Sequence, residues 1–484
     1  MTIFRMFFTL FVLLIFTCQL SADECLRHIT VKGKICCQEK GLANILVTDG
    51  EFCTLTDSDG TYYLLSDTGK SFIYYTLPSG YEAPLENGLP LFYKRINNEN
   101  SDVFIRNFEL IKSRKSQEKH AFIVMADPQV IEPSELDLLE YVVYDVKETI
   151  SGLDPSISVF GISCGDMVFD RLNLFDPYIA TLSGTGIPFY HAIGNHDMDY
   201  SNITHETSYL TYQTMFGPPY YSFNIGKIHY ITLDDVFYYG YSYHYMGYLA
   251  QKQLDWLKAD LQLVPKGTTI ILSLHIPTIY AESKKKPDLL ELQKNSLLNG
   301  QVLYDLLKGY EVHIMAGHSH EQWNTIISDT ILEHTHVAAS AAWWQGEIGI
   351  DGTPKGYNVY EVDGNKLTWY FKGVNKSRND QFTLYPVGSD KEYSDCFIAN
   401  VYNYDPLWKV FWLENGVIKG EMERYWGEDP AAKLLYPPGK NSKYSWLSSG
   451  QTYHLFKAKP TQKEANISVQ VIDRFGNLYT GDLR

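Results

Sequence analysis

Residues 187–197 read IPFYHAIGNHD: an apolar and aromatic run that breaks at Gly194 into Asn195, His196 and Asp197. The run has the length and composition of a buried strand. The polar cluster at its carboxyl end, entered through a glycine that permits a sharp turn, is built like part of a site. Four more clusters repeat the pattern. AFIVMAD ends on Asp127, followed by Pro128 and Gln129, and SISVFGIS runs through Cys164 and Gly165 into Asp166. TTIILSLH ends on His275, and EVHIMAGH runs through Gly317 and His318 to Ser319 and His320. KIHYITLD adds another strand. Helical periodicity lies between some of these runs: Leu136, Leu139, Val143, Val146 and Ile150 after a start signal at Ser134 and Asp137, and a second helix over about 249–264. Strands alternating with amphipathic helices predict an α/β layered domain. In such a fold, ligands at the carboxyl ends of neighbouring strands converge on one rim.

The residue types restrict the chemistry. Carboxylate, amide oxygen and imidazole without thiolate suit hard and borderline divalent cations. Two such ions about 4 Å apart can share one carboxylate and clamp both oxygens of a phosphoryl displacement. Each cluster alone is weak evidence, since a single strand-end Asp or His is commonly a cap or a satisfied core residue.

Taken in order, the clusters resemble the calcineurin-like metallophosphoesterase signature D-x-H, G-D, G-N-H-D/E, H and G-H-x-H over about residues 118–372, with one departure at Gln129. The resemblance implies a central metallophosphoesterase β-sandwich flanked by helices. It also implies two divalent ions drawn from Mn, Fe, Zn or Mg, one held by Asp127, Gln129, Asp166 and His320. The other would be held by Asp166, Asn195, His275 and His318, with Asp166 shared. A hydroxide between the ions would attack a phosphate ester, and His196, oriented by Asp197, would protonate the leaving oxygen. Gln129 either ligates through its amide oxygen or points away and leaves its place to water. Trp343, Trp344 and Tyr357 resemble a substrate-side segment, and the paired tryptophans either stack on a ring or close the core. Asp170 and Asp199 are candidates to support these groups. His313 and Cys164 read as packing residues. The tyrosines at 238, 239, 241, 243 and 245 line a cleft or form a solvated loop. The rival reading is an exported glycan- or protein-binding protein on a catalytically silent phosphoesterase fold.

The flanks differ in texture. Residues 23–112 hold short β-rich runs broken by turns and resemble a transthyretin-like, carboxypeptidase-regulatory-like β-sandwich, as in exported bacterial members of the family. There, Asp57-Ser58-Asp59-Gly60 reads as a tight turn. The polar stretch KSRKSQEKH, 112–120, reads as a linker into a phosphoesterase domain over 113–373. Residues 374–484 are again β-rich, with Trp408, Trp412 and Trp426 assigned to core packing.

The chain has 484 residues, 45% hydrophobic and 20% charged, enough for several packed domains. Its net charge of −16 argues against binding a nucleic-acid backbone, which needs a basic face. Residues 1–22 carry Arg5, an apolar run and small residues near Ala22, the pattern of a cleaved secretory signal. An exported protein, periplasmic, cell-surface or secreted, without a later membrane span follows; lipid attachment at Cys18 is the lesser alternative. Among the seven cysteines, Cys25, Cys36, Cys37 and Cys53 cluster after this segment, as one local disulfide or as small buried thiols.

Overall fold

The computed structural model describes residues 26–96, 101–280, 287–441, 443–462 and 464–483. The expected signal at 1–22, with Cys18, and Cys25 lie outside these residues. The chain divides into two compact units, Met1–Tyr75 with Tyr93–Glu109, and Thr76–Phe92 with Leu110–Arg484.

The first unit is all β. Its long strand His28–Cys37 pairs antiparallel with Thr61–Asp67 and parallel with Val103–Ile105 and Phe108–Glu109. A second sheet joins Tyr93–Arg95, Phe72–Tyr75, Leu46–Thr48 and Cys53–Leu55. In Thr61–Asp67, Tyr62, Leu64 and Ser66 are buried while Thr61, Tyr63 and Leu65 are exposed, as the period of a one-sided strand requires. Asp57 closes the expected turn by accepting the N–H groups of Asp59 and Thr61. Of the clustered cysteines, Cys37 is a buried thiol, whereas Cys36 and Cys53 are half-buried and the Cys36 thiol donates to the Glu109 carboxylate at 2.8 Å.

The second unit holds the six strands that the sequence marks out, here β1, β2, β3, β5, β6 and β7, and others that it does not. In chain order they are β1 (Ser116–Met125), β2 (Ile157–Ser163), β3 (Phe189–His191), β4 (Tyr221–Ile225), β5 (Ile228–Thr232), β6 (Thr269–Ser273), β7 (Glu311–Ala316), β8 (Trp323–Ser328), β9 (Ile331–Thr335), β10 (Gly356–Asp363) and β11 (Lys366–Gly373). One sheet runs β3-β2-β1-β10-β11 and the other β4-β5-β6-β7-β9-β8. The pairings β1/β2, β2/β3, β5/β6 and β6/β7 are parallel, so β1, β2 and β3 end together and so do β6 and β7. Tyr230 on β5 packs edge-on against Phe122 on β1 and Phe160 on β2, which makes the two sheets a sandwich. Helix α1 (Pro133–Ser151) lays Leu139, Val142, Val143 and Val146 over the other face, against Ile123, Met125 and Val359. β1 is therefore buried on both sides, the reason AFIVMA is continuously apolar.

Two boundaries depart from the sequence reading. The polar stretch taken as a linker is strand from Ser116 onward, its charged side chains on the exposed start of β1 beyond a register shift between Ser116 and His120. Residues 76–92 belong to the second unit. There Leu77 bridges to Phe223, and Phe92 packs 4.5 Å from the Tyr221 ring.

The carboxyl-terminal part forms two four-stranded sheets around a core containing Trp408 and Trp412, with Trp426 at its edge. Buried polar contacts fasten it to the sandwich. Asn400 donates to the Asp351 carbonyl at 2.9 Å, and Asn324 to Asn403 at 3.0 Å. Among the described residues, no helix is long and apolar enough to cross a membrane.

Candidate metal centre

All five polar clusters meet at the carboxyl ends of β1, β2, β3, β6 and β7. The turns that carry them are bent into left-handed backbone: Asp127, Gln129, Asp166, His318 and His320 have φ between 44° and 69°. Non-glycine residues seldom adopt this region, and such strain gathers at functional sites. Close approach fixes the glycines beside them. A Cβ on Gly194 would lie 2.1 Å from Asp166 Oδ1, and one on Gly317 2.5 Å from Asp127 Oδ2.

Asp166 lies at the middle of the cluster. Its Oδ1 accepts the His196 backbone N–H at 2.8 Å and lies 3.4 Å from His275 Nε2, and its Oδ2 accepts Gln129 Nε2 at 2.7 Å. His275 Nε2 faces Asn195 Oδ1 at 3.0 Å and His318 Nδ1 at 3.1 Å. Asp166, His275 and His318 bring one ligand atom each within 4.8 Å of one another. On the other side, Asp127 accepts the His318 backbone N–H, and His320 Nε2 lies 3.5 Å from its Oδ1.

These atoms fit a divalent cation. His275 Nδ1 donates to the Cys164 carbonyl at 2.8 Å, so a neutral ring turns the Nε2 lone pair toward the oxygens of Asn195 and Asp166. Lone pairs facing one another require a cation between them. A proton can serve: burial works to lower His275, but the Asp166 carboxylate overrides it and pushes the imidazole up to about 10. Burial, with positive His275 beside it, drops His318 to about 3, which keeps that ring neutral. Gln129 Oε1 and His320 Nδ1 are buried with no partner among the described residues, and an orphaned buried acceptor is costly without a ligand.

The expectation for Asp197 is corrected. Its carboxylate accepts the N–H groups of Gly194 and Val168 and so closes its own turn, whereas Asp170 reaches His196 Nδ1 at 2.9 Å. Burial works to lower His196, but the carboxylates of Asp166 and Asp170 raise it. Its side chain is 23% exposed, so the ring is open to a substrate. Asp199 turns to Ser201 instead.

The three substrate-side aromatics separate. Tyr357 is corrected to a core anchor: it is on the outward face of β10, buried, with its hydroxyl 2.7 Å from Asp145 and Thr149 of α1. Trp344 donates to the Pro128 carbonyl at 2.8 Å and packs on the sandwich core. Trp343 stacks on the His320 ring, centroids 4.2 Å apart. Of the clustered tyrosines, Tyr245 lies 6.1 Å from the His318 ring, while Tyr239, Tyr241 and Tyr243 are exposed. His313 is paired with His334 inside the sheet. Cys164 is buried.

Sequence reasoning missed Asp235 and Asn295. Asp235 accepts the backbone N–H groups of His275 and Ile276 and holds that turn in place; it follows β5 in the same apolar-then-acidic pattern as the others. Asn295 Oδ1 lies 3.2 Å from His318 Nε2 and has no local sequence signal.

Three family models match the chain: N terminal of calcineurin-like phosphoesterase over residues 29–113, calcineurin-like phosphoesterase over 120–322, and C terminal of calcineurin-like phosphoesterase over 333–479. No curated protein matches it. Among solved structures it is similar to a dimetal phosphatase from Danio rerio, at 15% identity over 52% of this chain and 96% of that one, with a TM-score of 0.38. It is also similar to the purple acid phosphatase PPD1 of yellow lupin (Lupinus luteus) seeds, at 12% identity over 69% and 68%, with a TM-score of 0.39. Since the central model spans every strand end that carries the cluster, and the models for both of the family's flanks match in order around it, the chain belongs to the calcineurin-like phosphoesterases, enzymes that cleave phosphate esters with divalent metal ions.

Proposed function

We propose that the chain hydrolyses phosphate mono- or diesters using two divalent ions. Asp127, Gln129, Asp166 and His320 would hold one, and Asp166, Asn195, His275 and His318 the other. The observation that carries this is the double engagement of Asp166, with Gln129 on one oxygen and His275 beside the other. Divalent ions at such a site supply Lewis acidity toward the phosphoryl oxygens and acidify water. The neutral, hard amide oxygen of Gln129 favours Mn, Mg or Fe over Zn in relative terms.

His196 is the proton donor. With Nδ1 held by Asp170, Nε2 is left for the leaving oxygen, and the surrounding carboxylates favour its charged form. Asp197 and Asp235 position the turns of Asn195 and His275 by accepting their backbone N–H groups or those of their neighbours. Residues 1–22 support export.

The test uses the full chain, a chromogenic phosphate ester and added manganese, followed by a panel of mono- and diesters. Turnover is expected to require metal and to vanish in Asp166→Asn. Turnover that persists without metal, or in that variant, overturns the reading; so does its absence from metal-loaded protein, the outcome expected of a binding protein.

A further inference from the structure

Aromatic rings form an arc from one side of the centre to the other. His320 stacks on Trp343 at 4.2 Å, and Trp343 meets Trp446 edge-on at 4.5 Å. Trp446 lies 5.1 Å from Tyr444, whose ring is 6.4 Å from Phe169. Phe169 then packs at 4.1 Å against His196. The arc begins on a candidate metal ligand and ends on the candidate proton donor, so it borders the side from which a leaving group departs.

Its far half comes from the carboxyl-terminal region and is pinned in place. Lys443 Nζ bonds Glu132 at 2.8 Å and Glu135 at 2.6 Å, both at the start of α1, and the Asn441 side chain accepts the N–H groups of Lys443 and Tyr444. Leu447 and Tyr444 are buried. Between them, Trp446 is 53% exposed. Trp446 thus holds a large apolar ring in the open between two buried neighbours, directly beside Trp343. The Trp343 Nε1 donor is also buried without a partner among the described residues.

We propose that Trp446 and Trp343 form a binding surface for a flat, unsaturated ring on the leaving group, so that the substrates are phosphate esters of ring-bearing alcohols. This rests on the phosphoesterase reading above. A pair of crossed indoles offers a π face and an edge to such a ring, whereas a sugar or alkyl alcohol gains only contact area. The residue is a specificity element; it takes no part in proton transfer.

The experiment compares phenylphosphonate, cyclohexylphosphonate and methylphosphonate on manganese-loaded full-length protein. Binding is followed by tryptophan fluorescence, and by competition against turnover of a small alkyl ester. Phenylphosphonate is expected to bind about ten-fold tighter than methylphosphonate, the scale of one stacked ring. Cyclohexylphosphonate should fall between them. Trp446→Ala should erase the gap, chiefly by weakening phenylphosphonate to the level of methylphosphonate, and Trp446→Phe should keep part of it. Equal binding of phenyl- and methylphosphonate, or a gap that survives in Trp446→Ala, overturns the proposal while ester turnover stands. Ring selectivity lost in Trp446→Ala in a protein without turnover supports the ring site and overturns the phosphoesterase reading instead.

Discussion

His196 donates its backbone N–H to Asp166 and turns its ring to Asp170, so one residue is fixed at both ends while its Nε2 has no hydrogen-bond partner among the described residues. His196→Asn should therefore retain bound metal and lose about two to four orders of magnitude in turnover, less for acidic leaving groups. Metal analysis beside kinetics over a leaving-group series decides this. Asp170 and Asp197 should fail differently. Asp170→Asn is expected to lower kcat about 10- to 100-fold at unchanged melting temperature, as for a residue that orients a reacting one. Asp197→Asn, which puts an amide donor against two backbone donors, should cost about 1–3 kcal/mol of stability. If thermal melting ranks them the other way, the Asp170 assignment is wrong. Gln129 makes a third case: its amide nitrogen is spent on Asp166 and its oxygen is left over. Gln129→His should tighten the weaker of two metal affinities and narrow the gap between them in titration of the apo-protein; two unchanged affinities would remove Gln129 from the ligand set. The strand-end residues were legible in sequence because each follows an apolar run that both layers bury. The roles of Asp170 and Asp197 were not, since adjacency to His196 says nothing of which way a side chain turns.

At the level of elements, strand order puts five loops on one rim, and the segment around Lys443 closes over it. That lysine links two carboxylates of the α1 start, one of them buried. Lys443→Met leaves Glu135 without its cation, at a cost of about 1–3 kcal/mol. The loss should appear as a lower melting temperature together with a raised KM for ring-bearing esters and little change in kcat. An unaltered KM would mean that Trp446 keeps its place without the lysine clamp. The long helix α1 was readable from its spacing, and the buried half of β1 from an unbroken apolar run, while its polar start from Ser116 was not. The two-residue strands over 76–92 were not, because so few residues show no period. The approach of Trp446 to Trp343 has no local signature at all.

At the level of the molecule, residues 76–92 pack into the unit that carries the candidate centre. Phe92 is buried against Tyr221 and Tyr190. Phe92→Ala should destabilise that unit by about 3–5 kcal/mol, and a chain begun at residue 113 should melt lower still. An unchanged melt in calorimetry would place the segment outside the core. The position of β1 has a further consequence, for the kinetics of folding. Its neighbours are β2, which follows closely in the chain, and β10, whose Asn358–Asp363 pairs with Lys119–Val124. As the chain grows, all eight residues of the proposed centre are synthesised while one edge of β1 still lacks its partner. Such distant pairing is slow to form, and an unpaired apolar edge invites association with other chains. A ribosome paused before residue 356 would thus hold a chain with every ligand and no finished sheet to carry them, open to chaperones and proteases until β10 arrives.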